Sequence, residues 1–184
     1  MKIRKLALPL ILASIGIVTT LLALTGMAKV YSIPTSSMSP TIEPGDYVTA
    51  TRLFNPAGKV ARGQLVIFDS SKAYPKGGGS KFLQRVAAVT GDTIDLVDGR
   101  LCVNGQALPD RNGKVPRGPK PGAVMPGMPA PKYPLVIPQG QIFTLGDNHD
   151  NSLDSRYFGP FPVDAVTHRP HQIIFPLSHA RKIE

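Results

Sequence analysis

The chain of 184 residues contains one cysteine, Cys102, so no intrachain disulfide can form, and no histidine stands near it in sequence as a thiolate partner would. Cys102 therefore reads as a small buried strand residue. Acidic residues are also scarce, with 12 Asp and Glu against 21 Lys and Arg for a formal charge of +9. The cations are scattered, and no helix or aromatic-interleaved strand collects them, which argues against a nucleic-acid partner. Anionic lipid headgroups account for the sign, because several positive residues flank the one long apolar run. The acidic residues near 147–154 lack the spaced ligand pattern and terminal Glu of a Ca²⁺ loop. His168 and His171, on either side of Arg169-Pro170, read as isolated surface histidines, so neither a metal nor a cofactor is expected. No internal repeat is visible.

The apolar run extends from Leu6 to Ala28 behind Lys2, Arg4 and Lys5. At ~1.5 Å per helical residue it matches the ~30 Å thickness of the bilayer hydrocarbon. Gly26 and Ala28 could instead mark the cleavage site of a secretory leader, but the apolar core of such leaders is shorter than this run. We therefore expect residues 1–28 to be a cytoplasmic tip and single transmembrane anchor. The basic residues would keep the tip inside and place residues 29–184 on the extracytoplasmic side. The ~150 residues left suffice for one domain with a single modest core.

That domain reads as mostly β. Strand patterns occur within 42–54 and at 64–68, 81–89, 93–97, 135–145 and 172–175, and Asp98-Gly99 and Asn104-Gly105 mark hairpins. Residues 71–80, with a KGGGS stretch, read as a flexible excursion. Residues 109–134 are rich in Pro and Gly with Arg111, Lys114, Arg117, Lys120 and Lys132, and read as a mobile basic loop, solvated or gating a substrate. Just after the apolar run lies IPTSSMSPT, Ile33 to Thr41, where Pro34 and Pro40 bracket three adjacent hydroxyls. Such a segment is a loop by default, yet a rigid non-helical turn is also what a nucleophilic hydroxyl requires.

IPTSSMSPTIEPGD resembles the nucleophile segment of the type I signal peptidases, membrane-anchored Ser/Lys peptidases that include the related conjugative-transfer peptidases. GDNHDNSLDSRYFGP at 146–160 is similar to the C-terminal signature of that family, and RGQLVIFD and RVAAVTGD are similar to its strand segments. The resemblance implies a mostly β, signal-peptidase-like domain of antiparallel sheets with one N-terminal transmembrane helix, seated in a bacterial inner membrane. It implies cleavage of signal peptides from exported preproteins after small residues, at the bilayer. By position it makes Ser37 the nucleophile, Thr35 and the Ser37 N–H the oxyanion donors, Ser152 the hydroxyl that orients the base, and Asp154 with Arg156 a pair supporting the site.

The departure is the base. The family places a Lys immediately before the Arg of the RVAAVTGD segment, and here that residue is Gln84, which accepts no proton at neutral pH. The nearest lysine is Lys81, three residues earlier and on the other face of a regular strand unless a bulge at Phe82 or Leu83 intervenes. Two expectations follow: a serine endopeptidase with Lys81 as its base, or an altered homologue that binds such segments without cutting. A self-cleaving repressor of related chemistry is disfavoured by the apolar run and the lack of a DNA-binding module.

Overall fold

The structure, a computed structural model, describes residues 3–24, 26–74, 78–109, 113–120 and 131–183. It opens with helix α1, Ile3–Leu24, which contains Pro9. The α1 side chains described, at positions 9, 11–18, 20 and 21, are all exposed. Among the described residues no helix is long and apolar enough to cross a membrane. The apolar run over residues 6–28, expected to be an anchor, is helical only as far as Leu24, and Ala28 already opens the first strand; a membrane span is not shown by these residues.

The rest is strands joined by turns, as expected. In chain order these are β1 (Ala28–Ser32), β2 (Tyr47–Arg52), β3 (Leu65–Asp69), α2 (Ser70–Ala73), β4 (Lys81–Val89), β5 (Thr93–Val97), β6 (Arg100–Val103) and β7 (Gln106–Ala107). Then come β8 (Leu135–Val136), β9 (Gln141–Leu145), α3 (Ser155–Phe158), β10 (Phe161–Pro162), β11 (Val166–Phe175) and β12 (Arg181–Lys182). The larger sheet has the order β1-β2-β11-β3-β4-β9-β10, with β12 also on β11, and the smaller one β7-β6-β5-β8. All the pairings are antiparallel.

Local chemistry explains most of these bounds. Asp98, Gly99, Asn104 and Gly105 all have φ between 52° and 77°, the left-handed pairs that two-residue hairpins require. Asn104 also accepts from the Thr93 N–H and donates to Asp92, tying its turn to the start of β5. Leu65–Phe68 is buried throughout because β3 lies between β4 and β11. One apolar cluster gathers around Phe68, Phe158 and Phe161, a second around Leu101, Phe143 and Leu145 between the sheets. A third joins Ile33, Met38 and Ile42 to Val48, Leu65, Ile173 and Ile183. This last cluster lies under the serine-rich turn.

Several expectations are corrected. The strand read over 135–145 is two, separated by Pro138, which lacks an N–H, and by Gly140 at φ 73°. The closing strand starts at Val166 rather than Gln172, and its pairing with β2 shifts register beside Pro170. That longer strand buries His168, read above as a surface residue. Its Nδ1 lies 3.1 Å from the Tyr31 hydroxyl, and burial, then Lys29, lowers its pKa. The excursion at 71–80 begins in α2, capped by Asp69.

Of the loop at 109–134, residues 110–112 and 121–130 lie outside the described residues, Arg111 among them. Residues 113–120 run beside the first hairpin: the Leu101 N–H donates to the Pro116 carbonyl, and the Gly118 N–H to the Gly99 carbonyl. A Cβ on Gly118 would approach Leu96 Cδ1 to 2.9 Å.

Phe143 is wholly buried and Leu177 is 81% exposed. Phe143→Ala is expected to cost about 3–5 kcal/mol in a denaturant titration, and Leu177→Ala less than about 0.5 kcal/mol.

Candidate active site

Ser37 sits in a single turn of 3₁₀ helix, Ser36–Met38, entered from extended backbone at Thr35. Met38, almost wholly buried, plugs this turn into the third apolar cluster, and its carbonyl accepts from the Ile42 N–H. The Ile33 N–H donates to Asp46 O and the Ile33 carbonyl accepts from Gly45, closing the loop behind. The residue after the nucleophile candidate is therefore an anchor, and Ser37 is aimed outward by its neighbour's burial. Its Oγ lies 3.2 Å from Thr35 Oγ1.

The segment that follows β9 is stitched to this turn. The Asn148 N–H donates to Ser37 O at 3.0 Å, Asn148 Nδ2 to Ser36 O at 3.0 Å, and Asn151 Nδ2 to Ser36 Oγ at 2.8 Å. The approach is so close that a Cβ on Gly146 would lie 2.5 Å from Ser37 O and would overlap Ser152 Oγ. Ser152 Oγ is thereby placed beside the Ser37 turn; it is buried and has no hydrogen-bond partner among the described residues.

Below lies the ion pair anticipated from residues 154 and 156. Arg156 Nε and Nη2 meet the two Asp154 oxygens at 2.8 and 2.9 Å, with both side chains buried. The guanidinium also donates to His149 O and Arg117 O, while Asp154 accepts from the Gly146 N–H. Burial alone would lower the Arg156 pKa, and the bonds to Asp154 more than offset it, leaving it raised. Arg85, next to Gln84, forms a second bidentate pair with Asp147 at 2.9 and 2.8 Å and donates to Gly63 O. The turn is thus held from below by two Arg–carboxylate forks.

One cleft of about 850 Å³ brings together Thr35, Ser37, Lys81, Gln84 and Ser152, with Tyr31, Lys120 and Tyr157; Asp154 and Arg156 lie behind it. Gln84 is buried with both ends of its amide used. Oε1 accepts from the Thr144 hydroxyl and Nε2 donates to Leu153 O, each at 2.7 Å. Lys81 is not joined to Ser37. Its amine donates to Asp69 Oδ2 at 2.9 Å, and Ser71, then Lys81, hold the Asp69 carboxyl well below its usual range. No bulge brings Lys81 across: the β3–β4 register runs unbroken from Leu65↔Arg85 to Asp69↔Lys81, which sets Lys81 beside Asp69. Lys81 as base is therefore corrected in this structure to one half of a cross-strand ion pair. Among the described residues no His, Cys, Asp and Glu group that could hold a metal is found.

Sequence reading gave no part to Gly146, Asn148 and Asn151, and took Lys120 only as one cation of a basic loop. The only signal for Gly146, Asn148 and Asn151 is their place in the signature at 146–160, and Lys120 has none.

The family profile described as Signal peptidase, peptidase S26, matches residues 4–175. Thylakoidal processing peptidase 1, chloroplastic, of Arabidopsis thaliana is 30% identical over 160 residues, 84% of this chain and 44% of that protein. Signal peptidase I of Bacillus licheniformis is 26% identical over 175 residues, covering 92% of this chain and 89% of its own. A crystal structure of a signal peptidase I from Enterococcus faecalis V583 is similar at 24% identity and TM-score 0.42, over 58% of this chain and 92% of that one. The chain thus spans less than half the length of the thylakoidal relative.

Removing one member of the Asp154–Arg156 pair leaves a buried charge uncompensated. Asp154→Ala is expected to lower stability by roughly 3–5 kcal/mol, read as a depressed melting temperature. Gly146→Ala should displace the Ser37 carbonyl and break the bond from the Asn148 N–H, seen as loss of that amide's protection in hydrogen exchange.

Proposed function

Since the chain belongs to the signal peptidase family, peptidase S26, we propose that it is a membrane-anchored serine endopeptidase that removes signal peptides from exported preproteins after small residues. The observation that carries this reading is the Ser37 turn, held rigid by Met38 below and by Asn148 at its carbonyl, with the Thr35 hydroxyl beside Ser37 Oγ. Ser37 Oγ attacks the scissile carbonyl carbon. The displaced electron pair collects on oxygen, where the Ser37 N–H and the Thr35 hydroxyl donate to it. The Ser37 proton goes to a neutral amine, which returns it to the leaving nitrogen as the C–N bond breaks, and water then hydrolyses the ester. Ser152 steadies the amine, and Asp154 with Arg156 holds the loop that carries Ser152.

The described residues of α1 do not by themselves make a span, so the anchor rests on the apolar run at 6–28 read from the sequence. The helix there has 22 residues, which at ~1.5 Å each is about the thickness of the bilayer hydrocarbon. Its outward side chains include Ile11, Leu12, Ile15, Ile17, Val18 and Leu21. Ser14 and Thr20 turn their hydroxyls back onto the helix carbonyls of Ile11 and Gly16, so these satisfy themselves without water. With Lys2, Arg4 and Lys5 at the cytoplasmic end, the domain would face the outside of a bacterial inner membrane. Ser37 would work close to the bilayer surface, where signal peptides are presented.

A second reading is favoured by Gln84. An amide bonded at both ends takes no proton, so a protein whose cleft binds such segments without cutting them has the same geometry.

Incubation of the full-length protein with a preprotein bearing an A-x-A site decides between the two: a new N-terminus after the second Ala supports the peptidase, and stable binding without a product supports the other. In the peptidase, Ser37→Ala abolishes the product with folding intact. Thr35→Val costs about 10²–10³ in rate as an oxyanion donor, and Ser36→Ala, which loses only the Asn151 bond, retains most of it. Equal loss from the Ser36 and Ser37 changes would mean that the wrong hydroxyl has been named.

A further inference from the structure

We propose that Lys120, on the basic segment that docks against the 146–156 loop, is the amine that takes the Ser37 proton. The inference rests on the reading of Ser37 as a peptidase nucleophile and supplies the base which that reading lacks.

Two lysines line the cleft with Ser37, Lys81 and Lys120, and they are held differently. Lys81 is bound to a carboxylate, Asp69, which also accepts from the Ser71 N–H and hydroxyl. Lys120 donates to a neutral acceptor, the Asp150 backbone carbonyl, at 3.0 Å. The Asp150 carboxylate itself is taken by Lys114, which lowers its pKa.

The Asp150 carbonyl stands two residues before Ser152, whose buried hydroxyl has no partner among the described residues. Cα atoms two residues apart are separated by at most ~7 Å. A four-carbon stem can move its amine that far by rotating about its own bonds, with the backbone in place. At Ser152 Oγ the amine would reach the Ser37 turn, since Gly146 has room for no Cβ between Ser152 Oγ and Ser37 O. The orphaned hydroxyl thereby gains a partner and the nucleophile gains a base.

An amine accepts a proton only when neutral. A substrate's apolar segment laid over Ile67, Phe82, Leu83 and Leu153, which line the same cleft, would strip water from the amine and favour that form. The amine takes the proton from Ser37 Oγ as the new C–O bond forms and gives it to the leaving nitrogen as the C–N bond breaks. It then takes a proton from the water that attacks the ester and returns it to Ser37 Oγ as the ester opens. The charged and titratable groups facing it are Asp150 with Lys114, Lys81 with Asp69 across the cleft, and the phenols of Tyr31 and Tyr157.

The test uses the full-length protein and the A-x-A preprotein, with cleavage rates across pH and melting temperatures for Lys120→Met, Lys120→Arg, Lys81→Met and Ser37→Ala. Lys120→Met is expected to lower the rate by about 10²–10⁴, with the melting temperature unchanged and the rise of rate with pH lost. Lys120→Arg should not rescue it, because a guanidinium stays protonated. Rescue by Arg would assign Lys120 to charge-based docking and overturn the proposal. So would near-wild-type cleavage by Lys120→Met in a protein that Ser37→Ala silences, or loss of cleavage in Lys81→Met alone; each leaves the peptidase reading standing. A wild-type protein that does not cleave, or a Ser37→Ala variant that still does, overturns the peptidase reading and this inference with it.

Discussion

A Cβ atom at residue 146 would lie 2.5 Å from the Ser37 carbonyl oxygen, and only the residue with no side chain allows the two segments to meet. Ser37 and Gly146 are over a hundred residues apart, and most of the strand framework lies between them. Because β9 delivers Gly146 flush against the turn, the Asn148 N–H and side chain reach Ser37 O and Ser36 O. The Arg85–Asp147 and Arg156–Asp154 forks then fix the residues on either side of that contact. Such forks are stiff, since each guanidinium meets its carboxylate at two points. Positional precision at Ser37 is thus inherited from a steric limit and locked by charge.

The same loop shows how a buried polar residue is tolerated. Gln84 is a donor and an acceptor at once, and it finds one partner for each end on β9 and on the 146–156 loop. An ammonium carries donors only, so a lysine there would serve Leu153 O and leave the Thr144 hydroxyl in search of a different acceptor. The amide at position 84 is therefore matched to Thr144, and the two residues form one unit within the wall of the cleft. A polar group satisfied at both ends stiffens its surroundings, while the unmatched hydroxyl of Ser152 nearby marks where the site is open to a partner.

Much of this was readable from residues alone. The alternating and continuous apolar runs gave β3, β4 and β5 to within a residue, because periodicity is set by which face is buried. Asp98-Gly99 and Asn104-Gly105 were legible because few residues accept a positive φ. The two motifs at 33–41 and 146–160 marked the site through a likeness to a known family. What stayed hidden depends on contacts between distant parts. The burial of His168 follows from pairing with a strand over a hundred residues away, and the attachment of Lys81 to Asp69 from the β3–β4 register. Lys120 sat within a run of cations whose neighbours in sequence say nothing of the loop it docks on.

The link from α1 into the domain has a mechanical consequence. After Leu24 the chain enters β1 at Ala28, and β1 pairs with β2 through five consecutive residues, Ala28↔Thr51 to Ser32↔Tyr47. A pull directed along β1 would load that ladder in shear, with several hydrogen bonds sharing the force side by side rather than parting one at a time. The Ser37 turn begins only after the ladder ends and is fastened separately, through Met38 and Asn148. A pull along that axis meets the edge of the sheet before it reaches the nucleophile, and Tyr31, inside the ladder, is where it would first touch the cleft.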